Sequence, residues 1–581
     1  MSGLLIDYKF LSQSSTRADV SNVLQSIINA PPAAIDDSTR RELVQELLDD
    51  LRALAASEKN SRLSSKDVAQ ALLAIKTLGR HSASSEVISS EDNLKTLLAV
   101  FNAFSDDQDT SNEALRCVAN ALLLIEQGRF NWVEIGGGRA CVIRLEKSTN
   151  PDRIFLLSRI LFLSTVSMAS ASFILSLVED VPAGQTGNIV DIIGTKLDLL
   201  TSSILAGAKM SREAMTDLLK LTFNLLAHYP KLAEPTDSKE ASSSKSDDRI
   251  VIGDRWSERL DGILPPLLRA FNTLPPTFPS PIAAPLSHVI HSLITIPVAP
   301  LRAQWLGSLS PSSSKASSTS SARADSPSSK PPGAFDRAMS ALSAGRRSLS
   351  SRPSSPRTSP PPVHDSLLRA YDLLEVSFSH YLPGDVDPDD ASVRERCKKE
   401  GDHSLDDIMA PLVALVTRFC VDDEQSKVRM RNWVLPADLD RTSPLERRAD
   451  MLGRCLRLLS CVYHPRLKDA VGEMLYAMCD SDAGVLSSQV GYGNVAGFLY
   501  NKGIMSAPPR PASSTAPTTA SSGDPINPIT GTVHQEQPEP EMTEEEKQQE
   551  MEKLMVLFER LEKTGTVKIQ KRDPSAPSGS S

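Results

Sequence analysis

Helix-patterned segments of roughly two to five turns, rich in Ala and Leu and joined by short polar connections, recur along this 581-residue chain. Apolar residues make up 40% of it, enough for a core, while aromatics make up only 5%, and the patterned regions show no strand alternation. No strict repeat is visible. These observations predict an all-α fold, a solenoid of degenerate armadillo/HEAT-like units carrying disordered inserts and a detached C-terminal amphipathic helix.

The first 230 residues carry the clearest periodicity and are read as N-terminal helical repeats. Residues 41–56 place Leu43, Leu47, Leu51 and Leu54 on one stripe, and 66–79 do the same with Val68, Leu72 and Ile75. Further helices are predicted over 93–104, 112–126, 151–163, 189–205 and 212–228. Residues 160–178 hold no charge over nearly a membrane-spanning length. They are rich in Ser and Ala with no second span beside them, so they read as a buried pair of solenoid helices. The array continues over 231–307 around a polar insert at 234–249. Residues 308–362, dominated by Ser, Pro, Lys and Arg, have too little to bury to fold. Helical repeats resume over 363–505, with helices expected at 366–377, 405–421, 444–462 and 465–479. Residues 506–523 read as a disordered linker, 524–565 as an INPITG segment followed by the amphipathic helix, and 566–581 as a disordered tail. Two-helix units on both sides of the long insert indicate one solenoid with an insertion.

Net charge is −9 with pI near 5.6, which argues against nucleic acid as the main partner. The seven cysteines show no paired spacing, and Cys117, Cys420, Cys455, Cys461 and Cys479 sit inside apolar helical patterns, as reduced core thiols do. The opening MSGLLIDYKF lacks a basic stretch before an apolar run, so no signal peptide is expected and a soluble, cytoplasmic monomer is. Phosphate-loop, zinc-protease, nucleophile-elbow and kinase signatures are all missing. Gly136–Gly138 lacks the Lys-Ser/Thr of a nucleotide loop and reads as an ordinary turn. His288 and His291 have HxxH spacing but no obvious third ligand, so neither metal nor cofactor is expected. The chain reads as a binding protein without catalytic residues of its own.

Two motif-like stretches near the end sharpen this. The first is Gly491-Tyr492-Gly493-Asn494-Val495-Ala496-Gly497, leading into a short apolar helix; the second is Ile526-Asn527-Pro528-Ile529-Thr530-Gly531. A third, Met542-Thr543-Glu544-Glu545-Glu546-Lys547, opens the amphipathic segment. Upstream lie 113–120, EALRCVAN, and 153–163, RIFLLSRILFL. In this order the five stretches resemble the synembryn family (resistance to inhibitors of cholinesterase 8), exchange factors and chaperones of heterotrimeric G-protein α subunits. The resemblance implies that a solenoid groove takes the C-terminal helix of Gα, loosening the guanine site so that GDP leaves. It implies too that the C-terminal segment wraps around the GTPase domain and that GTP releases the complex. Cytosolic placement, with recruitment to the inner face of the plasma membrane through Gα, follows from the same picture. Family members of the animal branch carry acids among phosphorylatable Ser/Thr between the helix after Gly491–Gly497 and the 526–531 motif; here 506–523 has none, which removes the direction for acid-dependent phosphorylation.

Residue by residue, Lys76 and Arg80 flank the stripe of one helix, and Arg116 and Asn120 form a polar strip on another. These four are the groove candidates, the cations for a partner's terminal carboxylate and Asn120 for its backbone. In the C-terminal segment, Thr543 and Glu546 make a capping box, and Met551, Leu554, Met555, Phe558 and Leu561 share one face. Asn527 and Pro528 join them as expected Gα contacts. Gly491, Tyr492, Gly493 and Asn494 are expected to cap the solenoid, with positive φ at the glycines and Asn494 starting the next helix. Ser350, Ser355 and Ser359 are candidate phosphorylation sites in the basic insert. The alternative reading is an armadillo-type scaffold or transport adaptor with another cargo.

Overall fold

The computed structural model describes residues 3–56, 61–167, 170–181, 187–233, 255–306, 365–401, 403–504 and 526–533. Among these, regular structure is helical apart from an isolated antiparallel bridge between Ile526 and Val533. The chain opens with α1 (Gly3–Phe10), α2 (Arg17–Asn29), α3 (Asp37–Ala55), α4 (Val68–Leu78), α5 (Ser82–Ile88), α6 (Glu91–Ala103), α7 (Gln108–Leu124) and α8 (Glu126–Glu134). It continues through α9 (Gly137–Lys147), α10 (Pro151–Ser164), α11 (Ala171–Glu179), α12 (Ile189–Leu205), α13 (Ser211–Leu232), α14 (Leu264–Thr273), α15 (Leu286–Leu293) and α16 (Arg302–Leu306). It ends with α17 (Ser366–Tyr381), α18 (Ala391–Gly401), α19 (Leu405–Asp422), α20 (Glu424–Val434), α21 (Met451–Ser460), α22 (Pro465–Met478), α23 (Ala483–Val490) and α24 (Tyr492–Asn501).

Local chemistry sets many of the starts. Thr16 with Asp19, Asn188 with Asp191, and Ser404 with Asp407 form reciprocal capping boxes on α2, α12 and α19. Asp36, Asp107, Asn150 and Asp423 each accept a first-turn N–H of α3, α7, α10 and α20. The apolar stripes then decide the packing. Leu43, Leu47, Leu48 and Leu51 of α3 are buried, as are Val68, Leu72 and Ile75 of α4, each such side chain contributing roughly 1.5–3 kcal/mol.

The helices stack in two layers. In one, α2, α4, α7, α10, α13, α15, α19 and α22 pack each against the next. In the other, α3, α6, α8, α9, α12, α14, α17, α21 and α24 follow one another likewise. Helices of the second and first layers pair as α3/α4, α6/α7, α9/α10, α12/α13, α14/α15, α17/α19 and α21/α22, which is the architecture of a helical solenoid. One buried apolar cluster extends from Leu5 to Leu499.

Several expectations shift in detail. The helix read over 444–462 is a short 3-10 turn, Leu445–Arg447, followed by α21, because the backbone is extended at Arg448 and Asp450 and packs back on Gly453 of α21. A Cβ there would lie 2.1 Å from the Arg448 carbonyl oxygen, and Asp450 caps the Gly453 N–H at 3.1 Å. Residues 160–178 divide between α10 and α11, and among the described residues no helix is long and apolar enough to cross a membrane. Gly136 does make a left-handed turn, at φ 82°, but Gly137 and Gly138 already belong to α9. A Cβ at Gly137 would lie 2.3 Å from the fully buried Trp132 ring, so bare backbone lets α8 and α9 close on each other. All seven cysteines are buried and unpaired, and burial pushes the Cys141 and Cys455 thiols up to about 12.

Candidate partner-binding face and its C-terminal cap

Side by side in the first layer, α4, α7 and α10 share an ionic ladder. Lys76 Nζ lies 2.6 Å from Glu113 Oε2, Arg116 Nη1 2.5 Å from Glu113 Oε1, and Arg116 Nη2 2.7 Å from Asp152 Oδ2. Asn112 donates to the same Asp152 oxygen at 3.3 Å, and Asn120 Nδ2 donates to the Lys76 carbonyl at 3.4 Å. Burial disfavours the Arg116 charge, but Asp152 and Glu113 outweigh it and hold its pKa above the ordinary value. The Arg116 side chain keeps 31% of its exposure and Lys76 19%, so the ladder is fully paired yet open to solvent. Arg80 is exposed just beyond the α4 C-cap, Gly79.

The polar strip continues along the same layer. Arg159 Nε and Lys220 Nζ meet Asp217 at 2.7 and 3.0 Å, joining α10 to α13. Asn224 of α13 reaches back to Thr165 Oγ1 at 3.1 Å. On α15, burial first, then Lys220 and His291, lowers His288 to about 4. His288, His291, His403, Asp407 and Arg466 help line a cavity of about 650 Å³ bordered by α15, α18, α19 and α22. The rings of His288 and His291 meet edge to face, 6.2 Å apart, and no metal-binding group of ligands occurs among the described residues.

The far end of the solenoid is built differently. Gly491, at φ 84°, is the N-cap of α24, whose first N–H groups would otherwise be orphaned. Residues 526–533 satisfy them: Tyr492 N–H donates to Pro528 O and Gly493 N–H to Ile529 O, both at 2.8 Å. Within that segment Asn527 N–H donates to Thr532 O at 2.7 Å, Gly531 N–H to Asn527 O at 2.8 Å, and Ile529 N–H to Asn527 Oδ1 at 2.9 Å. Arg441 holds it from below. This buried guanidinium donates through Nη1 to Gln489 O at 2.7 Å and Gly531 O at 2.8 Å, while its own carbonyl accepts Val533 N–H at 2.9 Å. Burial, with Arg448 nearby, pulls the Arg441 pKa below its ordinary value.

The family model described as "Guanine nucleotide exchange factor synembryn" matches residues 71–578. The chain belongs to the synembryn family. Among its relatives, "Chaperone Ric-8A" of Danio rerio is 27% identical over 177 residues, covering 29% of this chain and 32% of that protein. "Chaperone Ric-8A" of Macaca fascicularis is 29% identical over 182 residues, covering 30% and 34%. The chain thus aligns with about a third of the length of these curated relatives. Among solved structures, an engineered protein aligns with 82% of this chain and 94% of its own length, at 11% identity and a TM-score of 0.33.

In this synembryn-family chain, Lys76, Arg116 and Asn120 come together, while Arg80 stands apart from their bonds. Gly491 to Asn494 lie at the end of the solenoid, but α24 starts at Tyr492, two residues before the expected Asn494. Asn494 sits in the first turn and donates to Val490 O at 2.7 Å and Thr530 O at 3.4 Å. Gly491 alone of the two glycines has positive φ. Asn527 and Pro528, expected among the Gα contacts, have polar groups spent within the chain: the Asn527 side chain braces its own turn and the Pro528 carbonyl caps α24. Met551, Leu554, Met555, Phe558, Leu561, Ser350, Ser355 and Ser359 lie outside the described residues. Sequence reasoning passed over Glu113, Asp152 and Arg441. Glu113, three residues before Arg116, was findable as an i, i+3 pair; Arg441, whose partners lie 48 and 90 residues away, carries no local signal.

Proposed function

We propose that this chain binds G-protein α subunits, stabilises their nucleotide-free state, promotes GDP release and GTP loading, and assists folding of newly made α subunits. The match to the synembryn family across residues 71–578 carries this reading. Exchange of this kind requires no bond to be made or broken by the exchange factor. It requires tighter binding to the open than to the GDP-bound conformation, and linkage then makes GTP binding weaken the complex.

The ladder on α4, α7 and α10 is the proposed grip on the partner's C-terminal helix. Lys76 and Arg116 are held in place by Glu113 and Asp152, so they are ordered before a ligand arrives. A terminal carboxylate competes with Glu113 for these cations, Arg80 adds positive charge from the exposed helix end, and Asn120 offers a backbone contact. Met551, Leu554, Met555, Phe558 and Leu561 are the proposed second grip, on the GTPase domain. The complex brings a cytoplasmic chain to wherever Gα resides, including the membrane face.

Size exclusion of the purified protein mixed with Gα·GDP, with nucleotide assayed in the complex peak, tests this. A stoichiometric complex without GDP, dissolved by excess GTP, is expected. A complex that retains GDP, or no complex with folded or newly synthesised Gα, contradicts it.

A further inference from the structure

Residues 526–533 are held by bonds that a loosely attached tail does not make. Two backbone carbonyls cap α24, a buried arginine with no carboxylate partner among the described residues donates to Gly531 O, and Val533 N–H returns to Arg441 O. The fit is also steric. A Cβ on Gly491 would lie 2.5 Å from Gly531 N, and one on Gly531 would lie 2.7 Å from the Val490 carbonyl carbon. Removing the segment would leave the Tyr492 and Gly493 donors without these acceptors and one Arg441 donor without its carbonyl.

From this we infer that 526–533 is a fixed clasp on the end of the solenoid, and that Arg441 and Gly491 are positioning residues for partner binding by the sequence after Val533. The inference rests on the proposed role of the C-terminal face in gripping Gα. With the clasp seated, Thr543, where the amphipathic segment begins, lies 10 positions after Val533; with the clasp released it lies 39 positions after Ile504. For a flexible connection the effective concentration of the second grip falls roughly as the −3/2 power of tether length, about 8-fold for this change. The clasp thus raises affinity without touching the partner.

The test compares Gα·GDP affinity of the full chain with three variants: Arg441→Ala, a 29-residue Gly/Ser insertion directly after Val533, and a chain ending at Val533. Proteolysis within 526–533 reports the clasp itself, without partner. Arg441→Ala should expose 526–533 to protease and weaken binding about 8-fold, and the insertion should weaken it equally while leaving the clasp protected. Truncation should cost more than either. If truncation weakens binding but the insertion does not, the clasp has no positioning role. If Arg441→Ala leaves 526–533 protected, Arg441 is not its anchor. If truncation itself changes nothing, the proposed C-terminal grip fails, whatever the clasp does.

Discussion

The ladder on α4, α7 and α10 and the clasp on α24 both bridge distant parts of the chain, by opposite means. The ladder uses charged side chains that stay partly open to solvent, with Glu113 and Arg116 each shared between two partners. The clasp uses backbone groups and one buried guanidinium that donates to backbone carbonyls. Exposed ion pairs are individually weak and exchange partners at little cost, whereas a buried donor that loses its acceptor keeps the whole desolvation penalty. A surface that must accept and release another protein is better served by the first arrangement. A joint that must hold while the rest moves is better served by the second.

Substitutions that separate stability from binding can break this comparison. Arg116→Ala removes a cation that touches two helices. It should cost about 1.5–3 kcal/mol of Gα binding, tenfold or more in Kd, while changing stability by less than about 1 kcal/mol. Titration calorimetry and urea unfolding of the same preparation decide it, and a large stability loss would move Arg116 from the grip to the scaffold. Gly491→Ala should show the reverse balance. A side chain at φ 84° costs about 1–3 kcal/mol and its Cβ meets the clasp backbone, so the unfolding midpoint should fall and cleavage within 526–533 should rise.

Glu113→Gln sharpens the point with a smaller effect. It weakens the hold on both Lys76 and Arg116, leaves Asp152 in place, and should tighten binding of Gα at low salt by a few-fold if the partner's carboxylate competes for those cations. Unchanged or weaker binding would mean that Glu113 orders the grip and does not compete with the ligand. The smallest effect concerns pH. His288 titrates at about 4 in the fold against an ordinary 6.5, mainly because burial disfavours its charge. Its folded value is the lower one, so its neutral form is fully accommodated above about pH 6.5, and stability is lost as pH falls toward 4. Thermal unfolding at pH 7.5 and 5.0 should therefore drop less in His288→Gln than in the parent chain.

How far the sequence speaks depends on the range of the interaction. Stripes such as Leu43, Leu47 and Leu51 are periodic within one helix, so their burial was readable. Capping boxes are equally local. The helix expected over 444–462 failed where Gly453 packs on the Arg448 carbonyl, a contact that a periodic pattern does not encode. The groove candidates were found as exposed-looking cations, but their carboxylates, Glu113 and Asp152, are revealed only when α4, α7 and α10 lie together. The two C-terminal motifs were legible as separate words. Their contact, such as Tyr492 N–H with Pro528 O across 36 residues, was not, because backbone bonding leaves no residue-type signature. Nor does the sequence show that Asn527 Oδ1 braces its own turn and that the Pro528 carbonyl accepts the Tyr492 N–H.

Amide hydrogen exchange on the full chain, alone and with Gα·GDP, tests the contrast most directly. The Tyr492, Gly493 and Val533 amides should be protected in both states, while the segments around Lys76, Arg116 and Asp152 gain protection only with the partner. Rapid exchange at Tyr492 and Gly493 in the free chain, or new protection confined to the layer of α3, α6 and α9, would contradict this contrast.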